Sequence, residues 1–232
     1  MTGKDITITS PDGTFGGYLA SPTAGKGPGI VVIQEIFGVN GFVRAVADGY
    51  AARGYFALAP DLFWRIEPNV RLTDKTEEEW KRAFELMGKF NADLGVRDIQ
   101  TTIARLRDEP GCTGKVGAVG YCLGGLLAYL TAARTDVDAS VGYYGVNIQK
   151  MLNEAASIKR PLLLHIAEKD QFTPPAAQKQ IVDGLRGNPQ VTIHLYPGMD
   201  HAFARTGGQH YDPANAELAN GRTATFFRQH LS

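Results

Sequence analysis

Five short runs in which nearly every residue is apolar or small constrain this chain more than any other feature: Gly29–Ile33, Tyr55–Ala59, Val116–Val119, Ala139–Val141 and Pro161–Ile166. A sixth run follows at Val191–Tyr196. A strand that is apolar at every position, rather than at alternate ones, is buried on both faces, as in parallel sheets covered by helices. Segments of helical period lie between the runs, as at Val96, Ile99, Ile103 and Leu106. The alternation predicts an α/β fold with a mostly parallel central sheet and helices on both faces. Residues 1–20 follow a different grammar: Ile6, Ile8, Phe15, Tyr18 and Leu19 surround the turn Pro11-Asp12-Gly13, which predicts an antiparallel hairpin. Helix starts are expected at Thr76 with Glu79, a capping box, and at Thr173-Pro174 and Asp212-Pro213, each a cap before a proline.

Composition narrows the function. With 44% hydrophobic and 21% charged residues the chain can bury a core, and its 232 residues suit one domain, 1–232, without repeats or a linker. Equal counts of basic and acidic residues, 24 each, remove the general attraction that nucleic acid or an anionic bilayer would need. No apolar run approaches the roughly 20 residues that a membrane-spanning helix requires. Two cysteines, Cys112 and Cys122, are too few for a disulfide scaffold, and a reducing compartment is expected. With no secretory signal pattern at the N-terminus, the expectation is a cytoplasmic monomer acting on a small molecule.

The string Gly120-Tyr-Cys-Leu-Gly-Gly125 carries the first chemical signal. It places one nucleophilic side chain on a sharp turn between a strand and a helix, the nucleophile-elbow arrangement with Cys122 in the serine position. Small residues two positions to either side let backbone segments approach, and the Leu123 N–H would face a developing oxyanion. The plainer alternative is a small buried thiol on a glycine-tightened turn. Elbow enzymes present nucleophile, acid and histidine in that order, and here Asp170 follows the fifth run while His201 follows the sixth. Glu168 and Asp200 are rivals for the acid. His165, His194 and His230 read as structural or surface groups, and His210 lies in a loop that could reach a pocket rim. None of the five histidines has metal-ligand spacing, so neither a metal nor a cofactor is expected.

Gln34-Glu-Ile-Phe-Gly-Val-Asn40 leaves the first apolar run at the edge where parallel sheets bind ligands. The Ile36 N–H is the natural second oxyanion donor. Glu35 is a carboxylate beside the thiol, a solvated loop residue or a partner for an arginine.

Together with Gly142-Tyr-Tyr-Gly-Val146 and His201-Ala-Phe-Ala-Arg205, these strings resemble the dienelactone hydrolases, or carboxymethylenebutenolidases, of the α/β-hydrolase superfamily. The resemblance implies a Cys122–His201–Asp170 triad with Glu35 as a fourth catalytic group, and hydrolysis of an enol lactone to a ring-opened oxo-acid such as maleylacetate in the degradation of aromatic compounds. It also implies that Arg205 reads a substrate carboxylate. Agreement breaks at the second anion-binding arginine: Trp80 stands there, with Arg82 two residues on, Phe84 replaces a pocket tyrosine and Ala202 a serine. Phe37 and Tyr143 are further candidate pocket residues. The alternative activity is that of a general carboxylesterase or thioesterase.

Overall fold

The computed structural model describes residues 3–232. Eight strands form one sheet in the order β1-β2-β4-β3-β5-β6-β7-β8, with β1 Lys4–Ser10, β2 Gly13–Ala20, β3 Gly27–Ile33, β4 Phe56–Pro60, β5 Cys112–Tyr121, β6 Ala139–Tyr143, β7 Leu162–Ala167 and β8 Val191–Tyr196. The chain divides into two compact units, Met1–Gly117 and Ala118–Ser232, and the division falls inside β5.

In the first unit β1 and β2 make the predicted hairpin, pairing Lys4 with Leu19 and Ser10 with Gly13. β2 then runs antiparallel to β4, and β3 pairs with β4 in parallel. Helix α1, Gly41–Ala52, begins where the Asn40 side chain accepts the Val43 N–H. Helix α2, Glu77–Lys89, starts at Thr76, whose hydroxyl accepts the Glu79 N–H. The Glu79 carboxylate reaches the Thr73 N–H at 2.8 Å, three residues beyond the cap. Helix α3, Ala92–Arg107, turns Val96, Ile99, Ile103 and Leu106 inward, as their spacing predicts.

The second unit alternates helix and strand: α4 Leu123–Arg134, β6, a 3-10 segment Ile148–Ser157, β7, α5 Pro175–Leu185, β8 and α6 Pro213–Leu231. β6, β7 and β8 pair in parallel. Two sequence expectations shift here. Helix α5 starts one residue later than Thr173-Pro174 predicts, because Pro174 itself precedes a proline and is held extended, at ψ 163°. The Val191–Tyr196 run, expected to be buried on both faces, is the last strand of the order, and with one neighbour it leaves Leu195 51% exposed. Asp212 caps α6 as expected, accepting the Asn215 N–H.

Helix α4 approaches the backbone after β6 closely enough to exclude side chains. A Cβ on Gly125 would lie 2.6 Å from Gly145 Cα and 2.7 Å from the Tyr143 carbonyl oxygen. A Cβ on Gly120 would lie 1.9 Å from the Gly124 carbonyl. These contacts set the height of the turn between β5 and α4. Gly221, on the exposed side of α6, meets nothing within 4 Å. Gly125→Ala is therefore expected to cost more than about 3 kcal/mol, as overpacking against rigid backbone does. Gly221→Ala should add about 0.5–1 kcal/mol by improving helix propensity. Urea unfolding of the two variants beside the parent tests both signs.

Candidate functional site

Cys122 sits between β5 and α4 with φ 56° and ψ −114°, a backbone conformation that side-chain-bearing residues rarely adopt. Its N–H donates to the Tyr143 carbonyl at 3.1 Å, and its own carbonyl accepts the Gly125 N–H at 2.9 Å. These bonds and the bare flanks of Gly120 and Gly125 hold the turn, so the thiol emerges at the carboxyl end of the sheet, 8% exposed. Leu123 opens α4, and an N–H at a helix's first position has no acceptor within that helix.

His201 and Asp170 belong to the same unit as Cys122, and His201 meets the thiol. The Asp170 carboxylate lies 2.7 Å from His201 Nδ1, and both side chains are buried. The other Asp170 oxygen accepts the Phe172 N–H at 2.8 Å, which fixes the carboxylate in its turn. With Nδ1 engaged, Nε2 is the nitrogen left for the Cys122 sulfur, which hydrogen-bonds the imidazole. Burial alone would lower the His201 pKa, but the Cys122 charge and the hydrogen bonds from Asp170 and Cys122 outweigh it and raise it to about 10. These charges and hydrogen bonds favour the protonated imidazole.

The rivals for the acid are occupied elsewhere. Asp200 accepts the main-chain N–H of His201 at 2.6 Å and pairs with His210 Nδ1 at 2.9 Å. Glu168 accepts the Gly198 N–H. Arg205 is 8% exposed, a burial arginines rarely show, on a turn in which its N–H donates to Ala202, itself at φ 63°.

Tyr143 is corrected from pocket residue to core residue. It is fully buried, its ring stacked 4.8 Å from Tyr121 and its hydroxyl bonded to Asn220 and Thr223 of α6. The next residue, Tyr144, is the one sequence reasoning missed. At φ 37° it departs from strand geometry and sets its ring 5.0 Å from the His201 ring, edge to face. Phe172 was missed too, and its ring centroid lies 4.8 Å from that of His201, edge to face. The available signal was position: each lies just past a strand's carboxyl end, where parallel sheets bind ligands.

Within the first unit Glu35 is 1% exposed on the loop that leaves β3, and Ile36 and Phe37 are buried after it. The Gln34 side chain, accepting the Leu62 N–H and donating to the Glu35 carbonyl, ties that loop down. Trp80 donates its indole N–H to the Asp74 carbonyl and packs edge-on to Phe37 at 5.0 Å, and half-exposed Phe84 leans on it at 5.7 Å. Arg82 instead pairs with Glu67 and Glu85 on the exposed face of α2, so its charge is already engaged. Among the described residues no cluster of His, Cys, Asp and Glu could hold a metal, and no helix is long and apolar enough to cross a membrane.

A family model of the dienelactone hydrolases matches residues 15–231. The chain belongs to the dienelactone hydrolase family. Like other dienelactone hydrolases it is a hydrolase of ester or lactone bonds. It is 53% identical over 232 residues to a relative from Azospirillum brasilense, covering 98% of this chain and 99% of the other. A carboxymethylenebutenolidase of Pseudomonas putida is 41% identical, with 97% and 96% covered. A Klebsiella pneumoniae crystal structure, 26% identical, superposes with a TM-score of 0.88 over 98% of each chain, which agrees with the α/β-hydrolase fold.

The raised His201 pKa has a measurable sign. Because it lies above the 6.5 of an unfolded histidine, its stabilising contribution is complete below pH 6.5 and is lost as pH rises through about 10. NMR titration should show one imidazole titrating near that upper value, and Cys122→Ala should bring it down sharply. An imidazole titrating near 6.5 in both proteins would contradict the upward shift of His201.

Proposed function

We propose that the chain hydrolyses an enol lactone of the dienelactone type through Cys122, His201 and Asp170, giving a ring-opened oxo-acid such as maleylacetate. The single observation that supports this most is the His201 imidazole held by Asp170 on one nitrogen and by the Cys122 sulfur on the other. The Cys122 thiolate attacks the lactone carbonyl, and the Leu123 and Ile36 N–H groups stabilise the oxyanion. The ring C–O bond then breaks, and the departing enolate oxygen takes the proton of the His201 imidazolium. A thioester remains on Cys122.

Acylation removes the thiolate charge that contributes most to raising the His201 pKa, so burial dominates and the imidazole stays neutral. Neutral His201, oriented by Asp170, takes a proton from water, and the resulting hydroxide equivalent attacks the thioester. The thiolate leaves, and the ion pair is restored. Glu35 is assigned the role of fourth catalytic group that the family resemblance implies.

Arg205 is assigned to the substrate carboxylate. Arg82, spent on Glu67 and Glu85, is not assigned to that anion, and Trp80 packs on Phe37. This favours a second reading in which uncharged esters are also accepted, Trp80, Phe37 and Phe84 supplying an apolar surface.

Purified enzyme is expected to turn over cis- or trans-dienelactone, and Cys122→Ala should lose activity by a factor of at least about 10³, as nucleophile deletions do. Arg205→Ala should lower kcat/KM on the carboxylated lactone by roughly 10–100-fold, the worth of a charge-assisted hydrogen bond, with a much smaller effect on a neutral aryl ester. Lactone turnover unaffected by Cys122→Ala would reject the mechanism, and equal losses on both substrates would reject the role of Arg205.

A further inference from the structure

His165, in the middle of β7, is wholly buried and bonded at both ring nitrogens. Nδ1 lies 2.7 Å from the Tyr196 hydroxyl of β8, and Nε2 lies 2.9 Å from the Thr223 hydroxyl of α6. Thr223 is 2.6 Å from the Tyr143 hydroxyl of β6, which donates to Asn220 at 3.0 Å. At the far end Arg222, whose guanidinium lies 5.3 Å above the Tyr196 ring, hydrogen-bonds the Tyr196 hydroxyl.

Counting protons fixes the direction of every bond. The single Tyr143 proton goes to Asn220, so Thr223 must donate to Tyr143 and accept from His165 Nε2–H. Nδ1 is then an acceptor and takes the Tyr196 proton. Arg222 can only donate, so Tyr196 accepts from it and has its own proton free for His165, the same direction reached from the opposite end. The chain runs Arg222, Tyr196, His165, Thr223, Tyr143, Asn220 with no donor facing a donor. Burial, then the charges of His194 and Arg222, push the His165 pKa well below the ordinary imidazole range, in keeping with a ring that both donates and accepts.

The main chains of two of these residues reach the site. The His165 carbonyl accepts the Tyr144 N–H at 2.7 Å, and the Tyr143 carbonyl accepts the Cys122 N–H at 3.1 Å. Tyr144 in turn sets its ring against His201. The chain therefore links four elements whose positions determine where the nucleophile and its base stand.

We propose that His165, as the Nε2–H tautomer, is a positioning residue: it closes a one-directional hydrogen-bond chain from Arg222 to Asn220 that fixes the backbone beneath Cys122 and the Tyr144 ring beside His201. This rests on the reading of Cys122 and His201 as nucleophile and base. Removing His165 leaves Thr223 and Tyr196 with buried unmet groups, and the strain is relieved by movement of β6 and β7 at the turn. Because the members act as a unit, losses from breaking the chain at two points should not add.

The test compares His165→Leu, His165→Gln, Tyr143→Phe and the double variant His165→Leu/Tyr143→Phe. Readouts are kcat, KM, thermal midpoint and the pH profile of Cys122 alkylation by iodoacetamide, taken where each protein is fully folded. His165→Leu and Tyr143→Phe should each lower kcat about tenfold with KM within about twofold, the pattern of lost positioning. The double variant should be no worse than about threefold below the poorer single. His165→Gln, which keeps a donor towards Thr223, should recover most of kcat. The low-pH plateau of alkylation should fall in His165→Leu and return in His165→Gln. Unchanged kcat and alkylation in folded His165→Leu, or multiplied losses in the double variant, would overturn the proposal. Alkylation needs no substrate, so a shifted profile in an enzyme inactive on lactones and esters would sustain the positioning role while sinking the catalytic reading.

Discussion

A cysteine held at φ 56° and ψ −114° is the constraint on which the rest of the second unit depends. Such a conformation costs about 1–3 kcal/mol and persists only where the surroundings leave the backbone no alternative. Here the surroundings are backbone against backbone: Gly120 on Gly124, Gly125 on Gly145 and the Tyr143 carbonyl. The absence of four side chains lets α4 sink onto β6, and that descent aims the thiol away from the core. The same closeness brings the Tyr143 carbonyl to the Cys122 N–H. Packing and chemistry meet in one hydrogen bond.

In the mechanism proposed here, electrostatics divides the work between two charge states. With sulfur charged, the imidazole holds its proton, poised to give it to a leaving oxygen. With sulfur acylated, the main source of that proton affinity disappears, and the buried ring becomes a base. Asp170, bonded to Nδ1, leaves Nε2 for the sulfur. One histidine can therefore serve as acid and base in sequence because its partner's charge changes.

The sheet and the candidate site residues stood out in the amino-acid order for different reasons. Strands β3 to β7 announced themselves because burial on both faces demands apolar residues throughout. Cys122, Asp170 and His201 drew attention by their places after β5, β7 and β8. β8 was misjudged because composition cannot reveal which strand ends a sheet. Tyr143 was taken for a pocket residue and Tyr144 was missed because their directions depend on one backbone angle, 37° at Tyr144, which strand alternation does not encode. Helix α5 moved by a residue through the restriction that Pro175 places on Pro174. The partners of Arg82 were invisible because the ion pair with Glu67 crosses fifteen positions and needs the fold to bring them together.

The account stands on Cys122 as the covalent nucleophile, and rapid acid quench of the enzyme with a hydrolysable lactone or aryl ester, followed by peptide mass analysis, addresses it directly. The expected result is a transient adduct of the acyl mass on the peptide that contains Cys122, forming and decaying fast enough to support turnover. Turnover with that peptide unmodified at every time point, or with the acyl group on another residue, would contradict the account.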